Sequence, residues 1–224
     1  MNFETFLIIL EFIGAIAFAI SGALIAIENK MDLLGVILLG TTTAVGGGLF
    51  RDIIIGRSMP LLFSYPWYAL AAVITTIIVF LILYFMKNKH LIMDSKIYQV
   101  GYNITDSLGL GVFVVVGAVE TMNMGIANHF MIVFCSVLTA VGGGMLRDMM
   151  AAKIPAIFRK HIYCVAAIVG ALFYYIMYIN TSLHQVAAIL TILIVVVIRF
   201  LAFYFKLNLP KVPFDVEEIQ NSKH

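Results

Sequence analysis

The sequence predicts an all-α membrane protein of seven transmembrane helices, built as a 3+3 inverted repeat plus a seventh helix. Three observations support this fold class. Of 224 residues, 62% are hydrophobic and only 12% are charged, and the mean hydropathy is +1.05. The apolar residues form long runs, and one ten-residue motif occurs twice. So few charges cannot cover the surface of a water-soluble domain, and a net charge of +2 gives no reason to expect a nucleic-acid partner.

Seven apolar runs are long enough to cross a bilayer, which takes about 20 residues of helix. Their length, without strict alternation, indicates helices rather than a β-barrel. The first run carries Glu4 and Glu11 and lacks a basic leader, so we interpret it as a true span rather than a secretion signal. The predicted spans are Phe6–Ile27, Leu33–Ile55, Trp67–Met86, Val100–Val119, Phe130–Ala151, Ile162–Ile179 and Val186–Phe205.

The basic residues between the spans predict the orientation, because cytoplasmic loops are enriched in Lys and Arg. Seven spans put the termini on opposite faces, and the N-terminal face carries only Arg57 outside the spans. We therefore predict an external N-terminus and a cytoplasmic C-terminus with a solvated, mobile tail. The opposite face carries Lys30, Lys87, Lys89, Lys96, Lys153, Arg159, Lys160, Lys206, Lys211 and Lys223.

The repeated motif is TAVGGG-x-x-RD, at Thr43–Asp52 and again at Thr139–Asp148. Downstream, PLLF at 60–63 parallels PAIF at 155–158, and five upstream positions also correspond, so the halves arose by duplication. Because each half has three spans, the second half enters the membrane from the opposite face, as in an inverted repeat. The predicted units are residues 1–90, 91–180, the seventh helix at 181–206, and the tail at 207–224.

A glycine triplet lies near the middle of the second span and of the fifth, at 46–48 and 142–144. Each interior glycine costs a helix about 1 kcal/mol relative to alanine, so the triplets need a reason. One explanation is close helix packing. The other is a kink or break at mid-membrane that exposes backbone carbonyls to a polar cavity. The predicted ion pathway comprises Gly46, Gly47, Gly48, Gly142, Gly143, Gly144, Thr43 and Thr139.

Charged residues within the spans are the second candidate site, because such residues rarely face lipid. Adjacent helical residues point about 100° apart, so Arg51 is not expected to pair with Asp52, nor Arg147 with Asp148. Depth along the helices predicts two pseudo-symmetric pairs instead, Glu11–Arg51 and Asp106–Arg147. A charge swap within one pair is expected to restore function lost in the single variants.

Several other polar and aromatic residues have simpler expected roles. Gln99 and Asn103 share a helix face with Asp106. These side chains are expected either to form hydrogen bonds between helices or to line a water-filled path. Arg199 is expected to extend to the interface and to play no part in transport. Weaker pathway candidates are Ser21, Thr41, Thr42, Thr75 and Thr76. Tyr65, Trp67 and Tyr68 are expected to form an aromatic belt at the membrane interface. Cys135 and Cys164 are expected to be ordinary buried thiols.

This pattern resembles the trimeric intracellular cation channel (TRIC) family, in the doubled GGG-x-x-RD motif and the seven spans over residues 5–205. The resemblance implies homotrimers in a lipid membrane, with a pore for monovalent cations inside each subunit and kinks at both glycine triplets. It implies no cofactor beyond permeant potassium or sodium ions and no obligate protein partner. Animal members carry a lysine where this chain has Gly46, so the prokaryotic branch and a plasma membrane are implied.

Two functions remain open at this point. A cation channel fits the resemblance. The resemblance also implies, as an alternative, a secondary carrier of glycine or another small amino acid, and broken helices at the midplane of an inverted repeat would suit such a carrier. Motifs for intramembrane hydrolysis such as GxSxG and HExxH do not occur, so we expect no enzyme. The arginines discriminate: if Arg51 and Arg147 are paired, a cation path is favoured, and if they are free, a carboxylate substrate is favoured.

Overall fold

The computed structural model describes residues 2–86, 96–159 and 162–207, and over these ranges the chain is helical with no β-strand. Two single turns, α3 (Leu61–Ser64) and α7 (Ala156–Arg159), follow the second and fifth long helices. The predicted C-terminal tail lies outside the described residues beyond Leu207. The seven long helices are all apolar enough to span a membrane, and they are α1 (Phe3–Glu28), α2 (Leu33–Ile54), α4 (Trp67–Phe85), α5 (Lys96–Asn123), α6 (His129–Met150), α8 (Ile162–Asn180) and α9 (His184–Tyr204).

The starts of α2 and α6 show how the two halves build the same local structure. The side chain of Asp32 accepts a hydrogen bond from the backbone N–H of Gly35, at 2.8 Å. Asn128 does the same for Met131 at 3.0 Å. Each side chain satisfies a first-turn donor that has no partner within its own helix. The duplication therefore preserves the capping geometry although one cap is an acid and the other an amide.

The ends of α2 and α6 differ in a way that yields a stability prediction. Gly56 and Ala152 occupy the equivalent left-handed position after each helix, at φ of 68° and 53°. A left-handed backbone costs an L-residue about 1 kcal/mol that glycine does not pay. We expect Ala152→Gly to raise the free energy of unfolding by about 1 kcal/mol, and Gly56→Ala to lower it by a similar amount. Melting temperatures measured in detergent check both predictions. A shift of the melting temperature in the same direction for both variants would contradict the explanation.

The bundle has a buried centre and a peripheral layer. Helices α1, α2, α5 and α6 pack on one another, with α4 against α1 and α2, and α8 against α5 and α6. α9 has no counterpart in the first half and covers α5 and α8. The most apolar stretch of α5 is 78% buried, whereas that of α4 is 11% buried. Consequently α5 is the central helix, and one face of α4 is left for lipid or for another protein surface.

The pseudo-two-fold axis passes through contacts between equivalent residues. Phe18 of α1 stacks on Phe113 of α5, with ring centroids 5.2 Å apart. Gly14 faces Val112 and Phe113, and its repeat mate Gly109 faces Phe18. Small residues beside the aromatic rings let α1 and α5 approach closely. The core of the bundle is thus organised symmetrically around these rings.

Candidate functional site

The glycine triplets form the crossing of α2 and α6. A β-carbon added to Gly47 would overlap the backbone carbonyl oxygen of Thr139, and one added to Gly143 would overlap that of Thr43. The two backbones therefore touch at the midplane, and only glycine leaves room for that contact. Of the two explanations for the triplets, close packing is the one that the contacts support.

Both helices run through the triplets without interruption. α2 is α-helical from Leu33 to Ile54, and α6 from His129 to Met150. The predicted break at mid-membrane is therefore wrong, because the glycines are held in helical geometry by the neighbouring backbone. A bend within these continuous helices stays a prediction, as does the pathway role of the triplets.

The third glycine of each triplet lies beside an arginine head group. A β-carbon at Gly48 would lie 3.7 Å from Nη2 of Arg51, and one at Gly144 would lie 3.6 Å from Nη2 of Arg147. The guanidinium groups thus fold back over the missing side chains of the residues three positions earlier. Both distances are ordinary van der Waals contacts, so the arginines alone do not require glycine there; at Gly144 the closest neighbour of such a β-carbon would be the hydroxyl oxygen of Tyr163, at 2.9 Å.

Each arginine also pairs with the aspartate that follows it. Nε of Arg51 lies 2.9 Å from Oδ1 of Asp52, and Nη2 lies 2.8 Å from the same atom. Nε of Arg147 lies 2.9 Å from Oδ1 of Asp148. The expectation that neighbours on the helix cannot pair is wrong, because the long arginine stem curls around the helix to reach the shorter carboxylate.

The second carboxylate oxygen of each aspartate caps the start of the next short helix. Oδ2 of Asp52 accepts a hydrogen bond of 2.8 Å from the backbone N–H of Leu61, the first residue of α3. Oδ2 of Asp148 accepts one of 2.7 Å from Ala156, the first residue of α7. These bonds satisfy free helix-start donors, and in both halves the donor is the residue directly after the proline of the Pro-x-x-Phe segment.

Asp106 lies at the centre of a buried charge cluster near the face where α9 ends. Its Oδ1 is 2.7 Å from Nη1 of Arg147, and its Oδ2 is 3.3 Å from Nη2 of Arg199. The same Nη1 of Arg147 donates to the hydroxyl of Ser21, at 2.9 Å. The predicted Asp106–Arg147 contact is present. We call Asp106, Arg147, Asp148 and Arg199 the second charge cluster; its two acids balance its two arginines.

Arg199 was expected to extend to the interface, and this is wrong. Its side chain is only 5% exposed, and its guanidinium lies over the ring of Tyr163, 4.5 Å from the centroid. Burial is tolerated because Asp106 supplies a counter-charge and the aromatic ring a favourable cation–π surface. The seventh helix therefore adds a second arginine to this charge cluster, in which the repeat itself supplies only Arg147.

The equivalent charges near the other face are arranged differently. Arg51 binds Asp52, and Arg57 binds Glu120 at 2.8 Å and lies 3.6 Å from Asp52. The predicted Glu11–Arg51 pair is absent: Glu11 has no hydrogen bond or ion pair with any residue that the structure describes. We call these five residues the first charge cluster; it holds three acids and two arginines.

A small cavity lies inside the first charge cluster. Its volume is about 20 Å³, enough for one water molecule. Glu11, Gly48, Arg51 and Tyr68 contribute to its wall. Tyr68 is therefore turned into the bundle, contrary to its predicted place in an interfacial belt, whereas Trp67 and Tyr65 are 63% and 61% exposed, as that belt requires.

At the opposite face a larger cleft of about 600 Å³ opens between α5, α8 and α9. Gln99, Asn103 and Arg199 line it. Asn103 donates to the backbone carbonyl of Gln99 in its own helix, so these two side chains do not link helices to one another. The polar stripe of α5 thus borders an open recess that ends at the second charge cluster.

The predicted pathway threonines are buried and bonded within their own helices. The hydroxyl of Thr43 donates to the carbonyl of Leu39, and that of Thr139 to the carbonyl of Cys135, both at 2.6 Å. The hydroxyls of Thr75 and Thr76 also donate to backbone carbonyls of their own helix. The hydroxyl of Ser21 accepts a hydrogen bond from Arg147. A pathway role for Thr43 and Thr139 stays a prediction.

A family model described as "Glycine transporter" matches the chain twice, over residues 8–84 and 103–179. The two matches cover the two structural repeats and together most of the chain. This family is the TRIC family. The chain belongs to the TRIC family.

Relatives and solved structures agree with this assignment. The "UPF0126 membrane protein YvgT" of Bacillus subtilis is 34% identical over 93% of this TRIC chain and 98% of that protein. The inner membrane protein YadS of Escherichia coli K12 is 31% identical over 92% and 96%. The crystal structure of the TRIC orthologue from Rhodobacter sphaeroides is 28% identical, with a TM-score of 0.79 over 91% of this chain and 100% of that one.

Three members of the TRIC charge clusters, and one tyrosine that packs against them, were not predicted from the sequence as site residues. Tyr163 is the repeat mate of Tyr68, so the offset of 95 was a usable signal for it. Glu120 and Arg57 lie just beyond the predicted ends of their spans, where a charge is ordinary. Arg199 lies outside the repeat, and only its position inside an apolar span was informative.

Proposed function

We propose that this protein is a monovalent cation channel, with potassium as the main permeant ion. The observation that carries this proposal is the neutralisation of Arg51 and Arg147, the arginines of the repeated motif, by carboxylates. Unpaired arginines in the bundle would repel cations and attract anions. The first charge cluster also has one acid more than it has arginines, which favours a positive ion.

The proposed path runs through each subunit along α2 and α6, between the small cavity at Glu11 and the cleft at Arg199. The small cavity borders Gly48, and the cleft on the opposite face reaches Arg199 of the second charge cluster. Ion movement past the crossing requires α2 and α6 to shift, and paired glycines permit such movement because they carry no side chains that interlock. We further propose a homotrimer in a prokaryotic plasma membrane, with the C-terminus cytoplasmic.

A carrier for glycine is the second candidate, favoured by one specific observation. The two halves of the inverted repeat have different ion pairs, since Asp106 is bound to Arg147 and Glu11 is not bound to Arg51. Carriers built from inverted repeats place their halves in different conformations and exchange them during transport. The family description "Glycine transporter" names the same substrate.

Reconstitution in liposomes tests the two functions together. Under a potassium gradient, we expect currents whose reversal potential follows the potassium equilibrium potential, and no saturable uptake of labelled glycine. Protein-free liposomes are the control for leak. Saturable, ion-coupled glycine uptake without single-channel steps would overturn the channel proposal.

The same currents test the pathway. In a background lacking Cys135 and Cys164, a Gly48→Cys variant treated with a cationic thiol reagent should lose most of its current. Gly101→Cys is the matched control, because Gly101 lies on α5 with open space around it and away from the crossing. Equal inhibition of both variants would contradict a path along α2.

A further inference from the structure

Glu11 and Asp106 occupy equivalent positions in the two repeats, yet only Asp106 has cationic partners. Arg147 lies 2.7 Å from Asp106, and Arg199 lies 3.3 Å from it. Glu11 makes no hydrogen bond or ion pair within the described part of the chain. The two halves therefore share the acid but not its counter-ion.

The arginines that could have served Glu11 are missing or engaged. Arg199 belongs to α9, which has no counterpart in the first half, so no second arginine reaches Glu11 in the same way. Arg51, the repeat mate of Arg147, is bound to Asp52 through both Nε and Nη2. Glu11 is consequently left beside a guanidinium group that another carboxylate already neutralises.

Three elements packed around Glu11 direct charged or titratable groups towards it. These groups are Arg51, Asp52 and Arg57 from α2 and the segment after it, Glu120 from α5, and Tyr68 from α4. Both arginines among them are paired by direct contact, one with Asp52 and the other with Glu120. Three acids therefore share two arginines, and an ionised Glu11 gives the first charge cluster one negative charge in excess.

The titratable groups on the other neighbouring helices have different partners. On α1 itself, Glu4 is exposed and lies two turns before Glu11. The groups of α6 and α9 are engaged elsewhere: Arg147, Asp148 and Arg199 belong to the second charge cluster, His129 contacts Tyr175, and His184 contacts Phe3. None of these contacts supplies a cation to Glu11.

The cavity beside Glu11 favours a neutral carboxyl. Apart from Arg51 and Asp52, its wall consists of Gly48, the phenol of Tyr68 and apolar side chains. A carboxylate without a counter-ion in such surroundings is strongly unfavourable. A protonated carboxyl needs only hydrogen-bond partners, and the cavity has room for about one water molecule.

We propose that Glu11 is a proton-binding site that sets the charge at this end of the ion path. With its proton, the first charge cluster is neutral; when the proton passes to water, the cluster carries one negative charge, which attracts a cation. The second charge cluster stays balanced in both states, because two arginines hold Asp106. The proposal rests on the proposed cation channel and adds regulation by pH to it.

Infrared difference spectroscopy tests the site without measuring transport. Between about pH 6 and about pH 9, exposed carboxyls with ordinary pKa values of about 4 stay ionised and contribute no change. We expect the unmodified protein in detergent to lose the C=O stretching band of a neutral carboxyl over this range, and Glu11→Gln to show no such loss. Glu4→Gln is the matched control, because it removes an exposed acid from the same helix and should leave the band unchanged.

Glu11→Asp keeps the test decisive if Glu11→Gln does not fold. It retains a carboxyl on a shorter side chain, which changes the surroundings of that group. The pH at which the band disappears should therefore shift relative to the unmodified protein. An unchanged midpoint would show that the band belongs to another residue.

Potassium current provides the functional readout. An ionised Glu11 places a full negative charge beside the path, so the current of the unmodified protein should rise by about fivefold from about pH 6 to about pH 9. Glu11→Gln fixes the neutral form and should carry a small current that no longer depends on pH. The same pH dependence in both proteins would contradict the regulatory role.

Thermal stability is a third readout, with a definite sign. A proton bound by the folded protein but not by the unfolded chain stabilises the fold, so the melting temperature should fall as the pH rises from about 6 to about 9. In Glu11→Gln this decrease should be smaller. An identical decrease in both proteins would count against proton binding at Glu11.

Failure of this proposal is distinguishable from failure of the channel. Absence of a pH-dependent carboxyl band in the unmodified protein, or the same loss of the band in Glu11→Gln, would overturn the site even if potassium currents are observed. Conversely, a band that depends on Glu11 in a protein without potassium current would uphold the site and contradict conduction alone.

Discussion

Gly47→Ala, which adds one methyl group, is expected to lower the free energy of unfolding by about 3 kcal/mol. The new β-carbon would overlap the backbone carbonyl oxygen of Thr139, and a backbone atom cannot turn away as a flexible side chain can. Helices α2 and α6 would have to separate along their whole contact. We expect a large loss of melting temperature in detergent and a loss of potassium current.

Gly48→Ala is the matched control for this variant. Its β-carbon would meet nothing closer than Nη2 of Arg51 at 3.7 Å, which is an ordinary contact. Because alanine also favours helix more than glycine, stability should stay the same or rise by up to about 1 kcal/mol. If the two neighbouring substitutions lower the melting temperature equally, the helix crossing is not the reason for the triplet.

Asp106→Asn is expected to cost about 3–5 kcal/mol of stability, because it leaves two buried arginines with one carboxylate between them. Arg147 and Arg199 both contact Asp106, and both side chains are almost fully buried. Melting temperature checks this expectation. Glu11→Gln is the matched control at the equivalent position, and it should cost much less because Glu11 has no ion pair to lose.

A double variant tests the electrostatic origin of the effect. Asp106→Asn combined with Arg199→Gln removes one charge of each sign, so we expect it to be more stable than Asp106→Asn alone. Additive losses in the double variant would contradict this explanation.

The simple charge swap between Asp106 and Arg147 is no longer expected to rescue function. An arginine at position 106 would face Arg199, and an aspartate at position 147 would adjoin Asp148. The pair belongs to a four-residue cluster, so exchanging two members replaces favourable contacts with repulsive ones.

Much of the architecture could be predicted from local sequence properties. Hydropathy indicates the seven helices, because crossing a bilayer requires long apolar segments whatever their neighbours are. The repeat indicates inversion, because an odd number of spans reverses the second half. Depth along the helices brought Asp106 and Arg147 to the same level, and their contact is present at 2.7 Å.

The counter-ions of the other charges could not be predicted in the same way. Two acids, Glu11 and Asp52, lie at about the same depth in the membrane as Arg51. The arginine binds the adjacent Asp52 rather than Glu11. Arg199 had an apparent route to the interface but lies between Asp106 and the ring of Tyr163. Arginine side chains are long enough to reach several partners, so their choice depends on which helices pack around them.

The doubled TAVGGG-x-x-RD motif and the seven apolar segments were visible in the sequence, and together they predicted the inverted repeat, the helix count and the position of the glycines in the membrane. Only the tertiary structure decided what the motif does: α2 and α6 touch at Gly47 and Gly143, and each arginine folds over its third glycine onto the next aspartate. The reason is physical. Hydropathy and repetition act along the chain, whereas backbone contact and charge pairing depend on distances between helices that sequence spacing does not specify.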